Sequence, residues 1–171
     1  MTKIVTWGLA LLVSGVVLAQ PAGQNRIERE VLHELRMLPY YTVFDNISFR
    51  VEGNTVTLMG QVTRPTLKSD AGRVVKNVEG VESVQNNIEV LPESPMDWQI
   101  RRAVFRAVYG QPGFEQYGFS AQPSIHIIVK NGHVTLLGYV MNEGDKTRAG
   151  MAANQVPNVF SVDNELQVSK S

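Results

Sequence analysis

The chain has 171 residues, and 43% of them are hydrophobic, which excludes wholesale disorder and fits one ordinary domain or two small ones. Its 16 basic and 16 acidic side chains balance to a formal charge of zero, which argues against a dedicated nucleic-acid-binding protein with a basic face. The absence of cysteine excludes disulfides, cysteine-based zinc sites, thiol catalysis and acylation of an N-terminal cysteine.

Residues 1–19 have the composition of a secretory signal peptide. Lys3 provides a positive start, the run from Ile4 to Leu18 is almost entirely apolar, and small residues precede a cut after Ala19. The apolar run is shorter than the roughly 20 residues that a membrane span requires, although an uncleaved anchor is the alternative interpretation. We therefore predict export, with the periplasm of a Gram-negative bacterium as the destination and no transmembrane segment in the mature chain.

Beyond residue 25 the chain consists of one pattern that occurs twice. Residues Ile47–Val90 align without a gap with Ile125–Val168 at a constant offset of 78 positions, and 16 of the 44 aligned pairs are identical. The string VTLMGQV at Val56–Val62 returns as VTLLGYV at Val134–Val140. An ungapped match of this length indicates an internal duplication, which defines the domain organisation.

A stretch with helical spacing of apolar residues precedes each copy. The first spans Arg26–Leu38 and the second spans Asp97–Gly110, where we expect Asp97 to be the N-cap. A β-hairpin follows in each copy, and its turn is marked by Gly53-Asn54 in the first copy and by Asn131-Gly132 in the second.

Each hairpin is followed by a helix, at residues 66–78 and 144–156, and by a last strand, at residues 83–91 and 161–168. This order predicts an α+β fold of two tandem α-β-β-α-β units, each a small three-stranded mixed sheet covered by two helices on one face. The predicted divisions are a signal peptide at 1–19, a short segment at 20–25, a first domain at 26–91, a linker at 92–96 and a second domain at 97–169.

Two strand motifs carry a resemblance to a known family. Each copy contains a V-T-L-x-G-x-V strand and a later V-x-x-V-x-N-x-[IL]-x-V strand, and in this the chain resembles tandem BON-domain proteins. The resemblance implies the α-β-β-α-β fold and an exported bacterial protein that serves envelope integrity or the response to osmotic stress. Some relatives bind anionic phospholipid and some carry a lipid anchor, which this cysteine-free chain lacks the residue to accept.

The outward face of the second sheet is the first candidate binding surface. The corresponding face of the first sheet is mostly polar, whereas the second groups apolar side chains, and exposed apolar patches commonly mark contacts. Either a lipid or protein partner binds there, or the first domain packs against it. The residues concerned are Ile128, Leu137, Tyr139 and Met141.

Two aromatic loops are the other candidates, one at Pro39–Phe44 before the first strand of the first copy and one in the second copy. Phe114, Tyr117 and Phe119 lie in a Gly- and Pro-containing segment and can enter a bilayer interface, unless their rings instead close the domain core. Arg101, Arg102 and Arg106 on the preceding helix would add attraction for anionic lipid, at about 1 kcal/mol for each charge.

Four residues are predicted to have structural roles. Gly60 and Gly138 lie mid-strand on the inward face, where we expect a helix to pack closely over them. Asn86 and Asn164 occupy inward positions of the last strands, where a buried amide must be hydrogen-bonded, most simply to backbone.

The sequence favours binding over catalysis. Its three histidines form no metal pair on the predicted hairpin, and it carries no phosphate loop and no nucleophile or metalloprotease motif, so we expect no enzyme activity, no metal and no cofactor. We predict an exported envelope-associated module that contacts phospholipid surfaces or envelope proteins. The alternatives are a stress-protective protein that acts through protein partners without a small ligand, and a glycan-binding module.

Overall fold

A computed structural model describes residues 22–118 and 123–169 of the chain. The predicted signal peptide and Phe119 lie outside the described residues. The architecture is α+β, with two tandem units that we call unit 1 (residues 22–91) and unit 2 (residues 95–169). Among the described residues no helix combines the length and the apolar character that a membrane crossing needs.

The helices of unit 1 are α1, Ala22–Arg36, and α2, Pro65–Lys76. Pro65 stands at the start of α2, where its fixed φ suits the helix and its missing N–H would have had no partner. Each helix buries one face, because its apolar residues recur every three or four positions. The buried residues that share these faces are Ile27, Val31 and Leu35 on α1 and Leu67, Ala71 and Val75 on α2.

The sheet of unit 1 is mixed, as predicted. Strands β1, Asn46–Glu52, and β2, Thr55–Val62, pair antiparallel around a turn in which Gly53 has a φ of 61°. After α2 the chain returns as β3, Ser83–Asn86, and β4, Glu89–Val90, both parallel to β2.

The third strand of each unit is interrupted, whereas the sequence predicts it as continuous. In unit 1 the gap falls between Asn86 and Glu89, where the Asn86 side chain accepts a hydrogen bond from the Ile88 N–H at 3.3 Å. The register does not slip across the gap, since Leu58 pairs with Asn86 and Gln61 pairs with Glu89. The break is therefore local, and Ile88 keeps its inward place in the core, where it is 1% exposed.

Unit 2 repeats this order with one addition. Its elements are α3 Pro95–Tyr109, α4 Glu115–Gly118, β5 Ile125–Lys130, β6 His133–Val140, α5 Glu143–Asn154, β7 Ser161–Asn164 and β8 Gln167–Val168. The added element is the short helix α4, which precedes the first strand and has no counterpart in unit 1 or in the sequence prediction. The strands pair as in unit 1, with β5 antiparallel to β6 and with β7 and β8 parallel to β6.

The N-cap of α3 is Ser94, and the prediction of Asp97 at that position is wrong. The Ser94 hydroxyl accepts the Asp97 N–H at 3.2 Å, which places Asp97 inside the first turn. The Asp97 carboxylate instead accepts the N–H groups of Asn131 and Gly132, both at 2.9 Å. It therefore ties α3 to the β5–β6 hairpin.

Gly60 and Gly138 do lie at close approaches, but the neighbour is a strand and not the helix that we expected. A Cβ at Gly60 would collide with the backbone carbonyl of Asn46, and one at Gly138 would collide with that of Ser124. Both carbonyls belong to the neighbouring strand or the residue just before it. Where helix and sheet approach closely, the glycine lies on the helix: a Cβ at Gly72 of α2 would meet the Asn86 amide of β3.

Each unit has a hydrophobic core of its own. One cluster is built from α1, α2 and the inner face of the first sheet, and the other from α3, α4, α5 and the inner face of the second. Asn86 and Asn164 link sheet to helix in the two units, since their amides donate at 2.8 Å to the carbonyls of Lys68 and Lys146.

Candidate binding surface

The loop Tyr41–Asp45 of unit 1 docks on unit 2. Its shape is fixed by Asp45, which is fully buried and whose carboxylate accepts four hydrogen bonds. Two come from the N–H and hydroxyl of Thr42, at 3.0 and 2.7 Å, and two from those of Thr63, at 2.7 and 2.8 Å. So held, the loop presents its Val43 carbonyl to the edge of β5, where it accepts the Ile127 N–H at 2.7 Å.

Phe44 is the apolar anchor of this docking. Its ring meets Trp98 and Phe105 of α3 edge-on, with centroids 5.9 and 6.2 Å away. Phe44 also packs against the core cluster of unit 2. The loop thus covers part of the outward side of α3 and contributes an aromatic ring to its partner unit.

The outward face of β5 lies against unit 1. The His126 ring meets the Tyr41 ring edge-on at 5.6 Å, and the Lys130 ammonium lies 2.6 Å from the Glu89 carboxylate of β4. Ile128 shares this face between His126 and Lys130 and is 5% exposed. The first domain therefore covers this part of the predicted apolar surface, as one of the two alternatives held.

The rest of that predicted surface stays open. Tyr139 and Met141 are 57% and 63% exposed, and Leu137 is partly exposed on the same outward face. The structure therefore separates Ile128, which is buried, from Tyr139 and Met141, which are exposed, and from Leu137, which is half-buried.

Phe114 and Tyr117 lie in the core of unit 2, at 0% and 4% exposure. The Tyr117 hydroxyl donates to the Asp145 carboxylate and accepts the Met141 N–H at 3.0 Å. Burial raises the pKa of Tyr117, and the hydrogen bond to Asp145 raises it further. These two rings close the core, so they lack the exposure that membrane insertion requires.

The two predicted arginines differ in access to solvent. Arg101 is 1% exposed, donates to the Val129 carbonyl at 2.7 Å and lies 5.1 Å from the centre of the Trp98 ring. Burial lowers the pKa of its guanidinium, which the carboxylates of Asp97 and Asp45 oppose. Arg102 is exposed and presents its charge to solvent.

The structure adds two aromatic side chains, Trp98 and Phe105, which the sequence analysis missed, to the basic residues that it singled out on α3. Trp98, Arg102, Phe105 and Arg106 are all exposed, and their spacing of four, seven and eight residues places them on one side of the helix. The same periodicity that identified Ile100, Val104 and Val108 as the buried face could have identified this opposite face. We call these four residues the α3 stripe.

A groove between α3 and α5 borders the α3 stripe. Its volume is about 420 Å³ at one end, and an adjoining stretch of about 330 Å³ shares Ala103, Arg106 and Pro157 with it. No acidic residue lines either stretch. The remaining lining residues are Met96, Gln99, Ile100, Arg102, Ala107, Gln111, Ala152, Gln155, Val156 and Asn158.

The titratable groups of the described chain form no reaction centre that we recognise. No three His, Asp or Glu side chains in residues 22–118 and 123–169 converge in the manner of a metal site. His133 bonds Ser161 at 2.8 Å, and its ring meets Phe160 at 5.9 Å. It lies at the far end of β6 from Tyr139, and His126 lies in the inter-unit contact.

Comparisons with known proteins identify the repeat. A family model described as BON domain matches twice, over residues 24–92 and 99–170. No curated protein matches the chain.

Two solved structures of CdsD, a structural protein of the type III secretion system of Chlamydia trachomatis, are similar to the chain. The first, of its C-terminal domain, has 16% identity and a TM-score of 0.34, and covers 83% of this chain and 96% of that one. The second has 15% identity and a TM-score of 0.31, and covers 84% and 93%.

Proposed function

This chain belongs to the BON domain family, with two tandem copies, and from that membership we propose that it is an exported, envelope-associated binding module that contacts anionic phospholipid surfaces. Such contact would serve envelope integrity or the response to osmotic stress, in the periplasmic compartment that residues 1–19 favour. We propose a binding role and no enzyme activity.

The α3 stripe is the observation that carries the proposal. Trp98 and Phe105 are 39% and 38% exposed, and Arg102 and Arg106 lie beside them on the same side of the helix. Asp97, the one acidic residue of α3, is buried and engaged by the hairpin. A helix face that combines aromatic and basic side chains suits the headgroup region of an anionic bilayer.

The strength expected of such a surface is modest. Two arginines add about 1 kcal/mol each at an anionic surface, and two partly exposed rings add a shallow apolar contact. Binding should therefore be reversible and sensitive to salt. The α3–α5 groove beside Arg102 and Arg106 supports the same proposal, since it offers space for a phosphate-bearing headgroup with no acidic residue in its lining.

Vesicle flotation tests the proposal. The mature chain is mixed with vesicles of phosphatidylglycerol and phosphatidylcholine, or of phosphatidylcholine alone, at low and at high salt. We expect co-flotation only with the anionic vesicles and only at low salt. Absence of co-flotation at low salt would remove the phospholipid proposal.

Charge reversal then locates the contact. The pair Arg102→Glu and Arg106→Glu should abolish co-flotation, because it replaces both stripe charges. The pair Arg29→Glu and Lys76→Glu is the matched control: both side chains are exposed, lie on the helices of unit 1 and change the net charge equally. Equal loss in both pairs would indicate a non-specific charge effect and contradict the assignment to α3.

A protein partner is the second candidate, favoured by the open apolar face of β6. Tyr139 and Met141 are exposed on the side of unit 2 opposite the helices, away from the α3 stripe. Tyr139→Asp should weaken binding to such a partner and leave vesicle binding unchanged. Phe114→Asp is not a useful probe of this surface, because Phe114 is fully buried and its substitution would disrupt the core.

A further inference from the structure

The contact between the units contains one histidine, and this residue leads to an inference beyond lipid binding. We propose that pH controls the docking of unit 1 on unit 2 through His126: neutral His126 permits docking, and protonated His126 opposes it. This pH dependence concerns how the two units are arranged, and it does not depend on what the α3 stripe binds.

His126 is enclosed by unit 1. Its ring meets the Tyr41 ring, and beside it lies a small cavity of about 80 Å³. Its Nδ1 atom is buried and has no hydrogen-bond partner among the described residues. The unit 1 side chains that line this cavity with His126 are Leu32, Leu35, Arg36, Tyr41, Ile47 and Phe49.

Two cationic side chains lie on the elements that surround the ring. Arg36, at the end of α1, lines the same cavity and is itself cationic. Lys130, two residues along the same face of β5, already pairs with Glu89. Tyr41 stays neutral, because burial raises its pKa to about 12.

The loop residues Thr42 and Asp45 would favour the imidazolium. The charge of Asp45, and the backbone carbonyls of Thr42 and Asp45, act to raise the pKa of His126. The Asp45 carboxylate, however, already accepts four hydrogen bonds from Thr42 and Thr63. The loss of water around the ring is the larger effect, and the pKa of His126 lies below its ordinary value of 6.5.

The direction of the effect follows from proton linkage. When the units separate, His126 regains water and its ordinary proton affinity, so the undocked state binds more protons near and below pH 6.5. Docking is therefore strongest above that pH and weakens as the pH falls from there towards the pKa of the docked state. One titrating group changes the docking equilibrium by at most tenfold per pH unit.

His126 lies among the described contacts that join the units. The others include Phe44, Ile128, the Val43–Ile127 backbone hydrogen bond and the ion pair between Lys130 and Glu89. Because each unit has its own core, separation would unfold neither.

A distance measurement between the units tests the proposal. The chain has no native cysteine, so Lys76→Cys and Asn154→Cys, at equivalent exposed positions on α2 and α5, accept a fluorescent donor and acceptor. We expect a single energy-transfer efficiency at pH 7.5, and a lower-efficiency population whose ratio to the docked one rises by up to tenfold per pH unit below 6.5.

Substitution identifies the group responsible. In the labelled chain, His126→Phe keeps a ring against Tyr41 but cannot be protonated, so the efficiency should not change with pH, whether the variant is docked or not. His133→Gln and His33→Gln, both at exposed positions, should behave like the parent chain. A pH response that survives in His126→Phe would overturn the proposal.

A titration of the unsubstituted chain provides a check that needs no variant. Nuclear magnetic resonance of the His126 ring should give a midpoint below 6.5, coincident with the loss of docking. Unchanged transfer efficiency down to pH 5, or a His126 midpoint at or above 6.5, would contradict the proposal.

Discussion

Gly60 and Gly138 occupy equivalent places in the two middle strands and have nearly the same φ, 111° and 110°. Few L-residues adopt that conformation. At each position a backbone carbonyl, that of Asn46 or of Ser124, also occupies the space that a Cβ atom would need. The motif V-T-L-x-G-x-V thus retains its glycine for two separate backbone reasons, neither of which is helix packing.

Gly60→Ala is expected to destabilise unit 1 by more than about 3 kcal/mol, the sum of an unfavourable φ and a backbone collision. Gly53→Ala is the matched comparison, because Gly53 also has a positive φ, 61°, but no atom within 4 Å of the added Cβ. It should cost only about 1 kcal/mol. Urea unfolding of both variants measures the difference, and equal losses would show that φ alone decides.

Asp145 is the residue through which Tyr117 and Arg148 meet. The hydrogen bond from Tyr117, and then that from Arg148, lower the pKa of the Asp145 carboxyl below its ordinary 3.8. The ionised carboxylate therefore stabilises unit 2 above that value, and the contribution is lost as the pH falls through the lowered pKa. Asp145→Asn should cost about 2 kcal/mol at pH 7 and much less once the pH has fallen through the lowered pKa of Asp145.

Asp70→Asn is the control for this prediction, because Asp70 and Arg73 form the same i,i+3 pair on α2. The carboxylate side chain is 31% exposed there and 7% exposed at Asp145. A surface pair of this kind contributes at most about 1 kcal/mol. Comparable urea midpoints for the two variants at pH 7 would contradict the role assigned to Asp145.

At the scale of elements, the spacing of apolar residues was enough to predict the helices and strands that bury a regular face. The helices, the hairpins and the mixed sheet follow from apolar spacing and turn residues, and the prediction of their order is confirmed. The spacing of apolar residues could not predict the interruption of a strand by one side chain or a helix of a single turn. Asn86 interrupts the third strand by bonding the Ile88 N–H, and α4 is one turn long, too short for a periodic signal.

The cap of α3 illustrates the same limit. Both Ser94 and Asp97 are good N-cap residues, and the sequence alone does not show which one reaches the free N–H groups. The choice depends on the hairpin 34 residues away, since Asn131 and Gly132 occupy the Asp97 carboxylate. Long-range hydrogen bonding therefore decided a question that appears local.

Asp97→Ala is accordingly expected to cost more than Ser94→Ala. Loss of the cap costs about 1 kcal/mol. Loss of the Asp97 carboxylate leaves the turn N–H groups of Asn131 and Gly132 without a partner and removes the nearby negative charge from buried Arg101, for a total of about 3 kcal/mol. Thermal and urea unfolding measure the loss of stability in both variants. A larger loss for Ser94→Ala than for Asp97→Ala would contradict the prediction.

At the scale of the whole molecule, duplication explains the units but not their docking. The residues that join the units are those in which the copies differ. At the constant offset, Asp45 corresponds to Pro123, His126 to Ser48 and Lys130 to Glu52. A repeat pattern reports what the copies share, so it contains no signal for an asymmetric contact. That is why burial of Ile128 stayed an open alternative in the sequence, and why Trp98 and Phe105 were not singled out.

Phe44 offers a way to separate docking from folding. Phe44→Ala removes the ring that lies against Trp98 and Phe105, so the units should come apart while both cores persist. In a chain that begins after Ala19, Trp98 is the one tryptophan, and its fluorescence reports directly on this contact. We expect a red-shifted emission maximum with an unchanged far-ultraviolet circular dichroism spectrum.

Tyr40→Ala is the control for the docking contact, because Tyr40 lies just outside the docking loop and is 72% exposed. It should leave the Trp98 emission where it is. If Phe44→Ala instead lowers the helix signal, the units depend on each other for folding, and the two cores are one cooperative structure. If neither spectrum changes, Phe44 does not hold the units together, and the backbone bond between Val43 and Ile127 with the Lys130–Glu89 pair must suffice.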